Sequence, residues 1–320
     1  MNHNNAREIP YPEGRFIRFL KNTVRRRIHT PVENDSFPLI LSIKNVTIHK
    51  EASEHQRALF KEILDIPHVW IYLHGSRADN TATSFSDYDD LIIIDLEEED
   101  TPNRTSLAKK LIRVDRRFNR LDPLQHHGHW IISKQSLENY DASYIPLSVL
   151  HAAVRVQGPA RITYRLNESR TRAGLRRNIA QTCDVIRILY SLYEKNHINV
   201  YRLKMLVGAF VLMPAYLFQY RGEEVDKKTG IMRAGELFGA HALKCLEWST
   251  SYRNSWNLLL DTAVHIRYMR RLISFVPIPH VYRKIAERFS PIPDLKKIPL
   301  PTLERAAVSA FIDKSMSHIQ

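Results

Sequence analysis

Two short and continuously apolar runs limit the folds open to this chain more than any other feature. The first run covers residues 69–73 and the second covers residues 91–94. Successive side chains of a strand point to opposite faces, so a strand that is apolar at every position is buried on both faces. We therefore expect two central strands of a sheet that is covered on both sides.

Polar residues at the ends of these runs carry the candidate chemistry. Gly75 and Ser76 follow the first run, and the second is preceded by Asp87 and Asp89. Glycine lets the backbone approach a ligand, so the next N–H groups and the Ser76 hydroxyl can hold phosphate oxygens. Two carboxylates two residues apart on an extended segment share a face and can share divalent cations, whereas Asp90 points to the other face. The segment therefore predicts a nucleoside triphosphate bound through divalent metal.

This arrangement resembles the DNA-polymerase-beta-like nucleotidyltransferase superfamily, whose pattern is a hydrophobic strand, Gly-Ser, a polar spacer and Asp-x-Asp. Here ten residues separate Ser76 from Asp87. The likeness is close over residues 68–96 and extends by order of elements over 56–165. It implies that Gly75 and Ser76 grip an NTP, and that Asp87 and Asp89 ligate two divalent ions, Mg²⁺ or Mn²⁺. It also implies transfer of an NMP to an acceptor with release of pyrophosphate.

The superfamily resemblance further implies a third carboxylate on a later strand, and here the chain differs. Residues 125–133 are expected to form that strand, with histidines where an acid is expected. By strand alternation His127 and His129 share a face, and imidazole can serve as a metal ligand or as a base. Asp122 is the carboxylate alternative, although its place before Pro123 suggests a turn. The third group therefore stays open among these three residues.

Two lysines of the second half are further candidates. Lys204 lies on an otherwise apolar helical segment, and Lys227 follows a turn. Both resemble the lysines with which helical domains of the superfamily hold the triphosphate tail. Lysines on helices are also typical of solvated surfaces, so both interpretations stay open.

The order of the predicted elements gives the fold class. In the first half, a strand is expected within residues 39–49, and helices are expected at 54–64 and 101–119. Beyond residue 166 only helical patterns remain, and these cover residues 172–194, 197–220, 231–246 and 251–275. We predict an α+β fold, with a nucleotidyltransferase-like mixed sheet and flanking helices followed by an all-helical second domain.

Four segments follow from this order. They are a basic N-terminal extension over 1–55 with a helical stretch at 14–29, the nucleotidyltransferase core over 56–165, the helical domain over 166–276, and a Pro-rich C-terminal tail over 277–320. The tail is expected to be extended until a last short helix at 303–312.

The charge balance bears on partners. The chain has 47 Lys and Arg against 34 Asp and Glu, which gives a formal charge of +13. Such an excess favours polyanionic partners, and arginine clusters at residues 25–27, 176–177 and 270–271 make RNA or DNA a candidate acceptor. The excess does not choose between nucleotide, RNA and DNA.

Other features bear on location. No apolar stretch reaches the roughly 18 residues of a membrane-spanning helix, because Pro214 interrupts the longest one. The N-terminus lacks the succession of regions that makes a secretory signal. Cys183 and Cys245 fit neither a disulfide framework nor a zinc site, and both are expected to be buried thiols. We therefore expect a cytoplasmic protein with no membrane association and no disulfide partner.

Two functions from different classes compete. The first is a Mg²⁺-dependent nucleotidyltransferase in which His127 or Asp122 positions the nucleophile. The alternative is a non-catalytic nucleotide- or nucleic-acid-binding protein on the same fold, which the histidine-bearing strand favours. Superfamily members modify antibiotics, tRNA ends and proteins or make nucleotide second messengers, so the acceptor and the choice of NTP stay open.

Overall fold

The structure is a computed structural model that describes residues 40–78, 82–95, 101–260, 269–271, 275–276, 278–295 and 300–320. Strands and helices alternate in the first half, and helices follow in the second, so the fold is of the predicted α+β class. The basic helical stretch expected at residues 14–29 lies outside the described residues.

A five-stranded mixed sheet organises the first half. The strands of this half are β1 (Leu41–Thr47), β2 (Lys50–Glu51), β3 (Val69–His74), β4 (Asp89–Ile94), β5 (Trp130–Ser133), β6 (Val154–Gln157) and β7 (Arg161–Asn167). The sheet has the spatial order β2-β6-β3-β4-β5, in which β3 runs antiparallel to both neighbours and β4 runs parallel to β5. The two strands predicted from apolar runs, β3 and β4, are therefore internal and adjacent.

The sheet is covered on both faces, as the apolar runs predict. The helices of the first half are α1 (Glu54–Ala58), α2 (Thr101–Leu121) and α3 (Leu147–His151). On one face, Ile71 and Ile92 belong to an apolar cluster that includes Phe118 of α2. On the other face, Tyr72 and Leu91 belong to a cluster that includes β1 and β7, which pair antiparallel as a separate two-stranded sheet.

From residue 168 onward the described residues form helices and no strand. These helices are α4 (Glu168–Glu194), α5 (Val200–Tyr220), α6 (Lys227–Met232), α7 (Ala240–Asn254), α8 (Trp256–Leu260), α9 (Pro279–Phe289) and α10 (Arg305–Ser317). Helix α5 lies at the centre, where α4, α6, α7 and α9 contact it. The all-helical character predicted for the second half is therefore confirmed for the described residues.

Helix α5 is the one described helix that is long and apolar enough, by length and composition alone, to cross a membrane. Within the structure 72% of its most apolar window is buried. Most of its apolar side chains pack against the surrounding helices. The helix therefore has the position of a core helix, which is consistent with a soluble protein.

Several expectations about secondary structure were wrong. The strand expected over residues 125–133 begins only at Trp130, because the side chains of the preceding residues bind groups on other elements. The helix expected over 54–64 ends at Ala58. The tail expected to be extended contains α9, whose first residue, Pro279, occupies a position where proline suits a helix.

Strands β6 and β7 were not predicted from the sequence. In β7 the buried Ile162, Tyr164 and Leu166 alternate with exposed residues, among them Arg161 and Arg165. The arginines obscured an alternation that is otherwise typical of a strand with one solvated face.

The approach of α6 to α5 generates a stability prediction. A Cβ on Gly230 would lie 2.9 Å from the backbone nitrogen of Ala215. Because that nitrogen belongs to the backbone of α5, the contact can be relieved only if one of the two helices moves. We expect Gly230→Ala to lower the free energy of unfolding by about 1–3 kcal/mol in urea denaturation. Gly208, inside α5, is the control because no heavy atom lies within 4 Å of its Cβ position.

Gly208→Ala is expected to raise the free energy of unfolding by about 0.5–1 kcal/mol, since alanine favours helix over glycine. Equal effects of the two substitutions would contradict the close approach of α6 and α5.

Candidate functional site

The turn after β3 has a backbone shape that suits glycine. Gly75 has a φ of +69°, in the left-handed region, and it begins a single 3₁₀ turn that ends at Arg77. A Cβ on Gly75 would lie 2.8 Å from Asp89 Oδ2. Because glycine has no side chain, the Asp89 carboxylate can lie directly against the turn that carries Ser76.

Neighbouring aspartates of β4 point to opposite faces of the sheet. Asp89 is directly opposite His74 in the β3–β4 pair, and Asp90 is opposite Leu73. Opposed residues of an antiparallel pair share a face, so Asp89 lies beside His74 and Asp90 lies on the face covered by α2. The Asp89 carboxylate is half-buried and has no hydrogen bond or ion pair with another described residue.

A buried glutamine fixes the segment that carries the aspartates. Gln125 accepts a hydrogen bond from the Tyr88 N–H at 2.9 Å and donates one to the Tyr88 carbonyl at 2.7 Å. Its amide also donates to the His127 carbonyl at 3.2 Å. Because Tyr88 stands between Asp87 and Asp89, Gln125 sets the distance between the aspartates and the histidine segment. Sequence reasoning missed this residue, since a single glutamine carries no motif.

A lysine from the helical half reaches Asp87. Lys204 Nζ of α5 lies 2.7 Å from Asp87 Oδ1 and 2.7 Å from Asp122 Oδ2, and it donates to the Leu124 carbonyl at 3.3 Å. The Lys204 side chain is 1% exposed. Buried charges of this kind persist only when they are paired. Asp87, Asp122 and Lys204 therefore form one buried ionic group, which we call the lysine bridge.

The lysine bridge sets the charge of its members. Burial acts to raise the pKa of Asp87, but the Lys204 ammonium and the nearby His126 and His127 hold this pKa well below its usual range. Burial raises the pKa of Asp122, against the influence of Lys204. Burial acts to lower the pKa of Lys204, yet the two carboxylates raise it. Asp87 is therefore ionised and Lys204 is charged.

Two histidines line the other oxygen of Asp87. His126 Nδ1 lies 3.5 Å from Asp87 Oδ2, and His126 Nε2 lies 3.2 Å from the Tyr201 carbonyl of α5. His127 Nε2 lies 4.0 Å from the same Asp87 oxygen, and 44% of its side chain is exposed. Desolvation lowers the pKa of His127, although Asp87 and Asp89 act in the opposite direction. Sequence reasoning missed His126 because strand alternation favoured His127 and His129.

A further ring nitrogen on this face is unsatisfied. His74 is buried, and its Nε2 has no hydrogen-bond partner among the described residues. Burial lowers the pKa of His74 against the influence of Asp89 and Asp90, so the ring is neutral. A neutral ring nitrogen beside an unpaired carboxylate is an arrangement that a bound cation or a polar ligand would satisfy.

The expectation that His129 shares a face with His127 was wrong. His129 Nδ1 lies 2.6 Å from Asp90 Oδ2, and its Nε2 lies 3.0 Å from the Leu111 carbonyl of α2. Strand alternation does not extend back to His127, because pairing begins only at Trp130. With both ring nitrogens engaged and 4% of its side chain exposed, His129 is a structural partner of Asp90 in this structure.

The C-terminal part of the chain closes over this region. In α9, the Tyr282 hydroxyl donates to the Pro123 carbonyl at 2.6 Å. Arg283 pairs with Asp115 of α2 at 2.8 Å and donates to the His127 carbonyl at 3.3 Å. The segment that carries the histidines is therefore held by α2 on one side and by α9 on the other.

The remaining sequence candidates lie elsewhere. Lys227 begins α6, next to the N-cap Asp226, and it is half-buried. A role for Lys227 in holding a triphosphate stays a prediction. Cys183 and Cys245 are buried free thiols, as expected.

The donor set around Asp89 fits one divalent cation better than a complete protein cage. Among the described residues, no group of three or more His, Cys, Asp and Glu side chains has an arrangement that holds a metal ion. Magnesium is commonly bound by one or two carboxylates and completes its shell with phosphate oxygens and water. Asp87 and Asp89 both lie near enough to His127 to affect its pKa, and they supply the one or two carboxylates that such a site needs.

Comparisons with protein-family models, with curated proteins and with solved structures each give no match for this chain. Interpretation of the site therefore rests on its geometry and chemistry.

The Asp90–His129 pair generates a pH prediction. Burial acts to lower the pKa of His129, but Asp90 raises it from 6.5 to about 9. A group whose pKa is higher in the folded protein than in the unfolded chain stabilises the fold when it is protonated. This stabilisation is complete at pH values below the unfolded pKa, and it is lost as the pH rises through the folded pKa. We expect the free energy of unfolding to fall by on the order of 3 kcal/mol between pH 6.5 and pH 9.

Urea unfolding across this pH range measures the effect. The control is the double variant Asp90→Asn/His129→Gln, in which a neutral pair replaces the ionic one and this part of the pH dependence disappears. Parallel stability curves for the wild type and the double variant would show that His129 does not titrate as described.

Proposed function

We propose that this protein is a metal-dependent nucleotidyltransferase that moves an NMP from an NTP to an acceptor, with release of pyrophosphate. The observation that carries the proposal is the contact between the Gly75 turn and the Asp89 carboxylate, where a Cβ would lie 2.8 Å from Oδ2. The turn that we propose for phosphate and the carboxylate that we propose for the cation therefore lie side by side. A triphosphate with its cation requires these two groups side by side.

The side chains around this point have the properties that the reaction needs. The backbone N–H groups after Gly75 and the Ser76 hydroxyl are suited to orient the phosphates, and Asp87 and Asp89 are suited to hold Mg²⁺ or Mn²⁺. A bound divalent cation would neutralise the triphosphate and stabilise the charge that develops on the leaving oxygen.

His127 is suited to act as the base. In the proposed step the acceptor oxygen forms a bond to the α-phosphorus. At the same time the bond breaks between the α-phosphorus and the oxygen that bridges it to the β-phosphorus. The acceptor's hydroxyl proton goes to His127, and pyrophosphate leaves with the electron pair of the broken bond. His127 supports this role because 44% of its side chain is exposed and its Nε2 lies 4.0 Å from Asp87 Oδ2, beside the proposed cation.

One observation favours the alternative of a non-catalytic nucleotide- or nucleic-acid-binding protein on the same fold. Lys204 contacts Asp87 Oδ1 at 2.7 Å, so this oxygen is engaged by the protein itself. The alternative predicts metal-dependent NTP binding without turnover. The intact Gly75-Ser76 and Asp87/Asp89 pairs favour the enzyme.

The rest of the proposal concerns organisation and partners. We propose a nucleotidyltransferase-like core over residues 56–165 and a helical domain over 166–276, in a cytoplasmic protein. The net charge of +13 supports an anionic acceptor, with RNA or DNA as the macromolecular candidates.

The test is incubation of the purified protein with each α-labelled NTP and Mg²⁺ or Mn²⁺, with and without total tRNA. We expect release of pyrophosphate and transfer of label to an acceptor. Asp89→Asn is expected to reduce this transfer by at least about 100-fold, because one cation ligand is lost.

The matched control is Asp95→Asn, the same substitution at the other end of β4. Asp95 pairs with Lys134 at 2.7 Å, and we expect this variant to transfer label at the wild-type rate. Undiminished transfer by Asp89→Asn would refute the assigned site. NTP binding without any transfer of label would establish the binding protein instead.

A further inference from the structure

The Lys204 ammonium stands where a bound cation would stand. It lies between two carboxylate oxygens at equal distances of 2.7 Å, from Asp87 Oδ1 and from Asp122 Oδ2. An ammonium group has three N–H donors. The third is directed to the Leu124 carbonyl at 3.3 Å, so every donor of Lys204 is engaged inside the protein.

Lys204 is also held firmly in this position. It belongs to α5, where the adjacent Leu203 and the nearby Leu206 and Val207 are fully buried core residues. The ring of Phe85 lies 5.6 Å from Nζ and adds a favourable cation–π contact. Withdrawal of the ammonium would leave the Asp87 and Asp122 carboxylates, each about one-eighth exposed at 13% and 12%, without their counter-charge.

The second oxygen of Asp87 has looser contacts. Asp87 Oδ2 lies 3.5 Å from His126 and 4.0 Å from His127, which is longer than a good charge-assisted hydrogen bond. The neighbouring Asp89 carboxylate has no ionic partner among the described residues. The two oxygens of Asp87 therefore differ, since Oδ1 is committed to Lys204 and Oδ2 makes only these longer contacts, one of them with the partly exposed His127.

We infer that Lys204 is a permanent internal cation that replaces one of the two divalent ions implied by the superfamily resemblance. The site then takes a single Mg²⁺ or Mn²⁺, bound by Asp89 and Asp87 Oδ2. This inference rests on the proposed function and changes two assignments within it. Lys204 positions Asp87 rather than holding the triphosphate tail, and Asp122 is the partner of Lys204 rather than a metal ligand.

The test counts Mn²⁺ ions by electron paramagnetic resonance. Mn²⁺ is titrated into the full-length protein together with an ATP analogue that has a methylene group between the α- and β-phosphorus. We expect one bound Mn²⁺ per chain with the spectrum of an isolated ion. Two ions about 4 Å apart would give a spin-coupled spectrum. Two bound ions overturn this inference alone, whereas no bound ion overturns the proposed function and the inference with it.

Two variants separate the roles of the carboxylates. Asp122→Asn leaves Lys204 paired with Asp87, and we expect the Mn²⁺ dissociation constant to change by less than about threefold. Asp89→Asn is expected to weaken Mn²⁺ binding by at least about tenfold. Equal weakening by both variants would make Asp122 a metal ligand and overturn the inference. Unchanged binding in Asp89→Asn would overturn the proposed metal site itself.

Removal of the internal cation gives a third comparison. Lys204→Met is expected to bind two Mn²⁺ ions, because the Asp87 and Asp122 carboxylates become available to a second one. The double variant Lys204→Met/Asp122→Asn is expected to return to one. A single ion bound to folded Lys204→Met would overturn the inference. If Lys204→Met does not fold, the wild-type ion count and the Asp122→Asn affinity still decide the question.

Discussion

The lysine bridge couples the two halves of the molecule, because each half carries buried charge that only the other half compensates. Asp87 belongs to the segment before β4, Asp122 follows α2, and the cation that both share comes from α5 in the helical half. A buried carboxylate without a partner costs free energy, so ionic contacts as well as the apolar contacts of Phe85 and Leu124 hold the helical half against the segments that carry Asp87 and Asp122. The position of Asp87, and with it the geometry of the candidate site, therefore depends on how the helical half packs.

Two further ion pairs lie behind the site. Asp90 and His129 pair on the face covered by α2, and Arg283 of α9 pairs with Asp115 of α2. Adjacent residues of β4 thus serve different purposes, because strand geometry turns Asp89 toward the face of His74 and Asp90 toward the face covered by α2. On one face the Asp89 carboxylate has no ionic partner among the described residues, while on the other face Asp90 anchors His129.

The sequence was sufficient for the features that depend on local pattern. The buried strands β3 and β4, the glycine turn between them and the opposite faces of Asp89 and Asp90 all follow from periodicity and from the conformational freedom of Gly75. The contacts of Lys204, His126 and Gln125 could not be predicted, because each depends on a partner far away in the chain. The pairing of His129 was missed because alternation was extended to residues that precede the strand.

The contacts made by α9 bear on the order in which the molecule can be assembled during translation. The chain is made from its N-terminus, so the sheet emerges from the ribosome well before Lys204, and Lys204 emerges before Tyr282 and Arg283. Until α5 arrives, Asp87 and Asp122 have no counter-ion, and until α9 arrives, the segment from Pro123 to His127 lacks the side chains that hold it. The nascent sheet is therefore not yet able to present the complete arrangement, which forms only after α9 has been made.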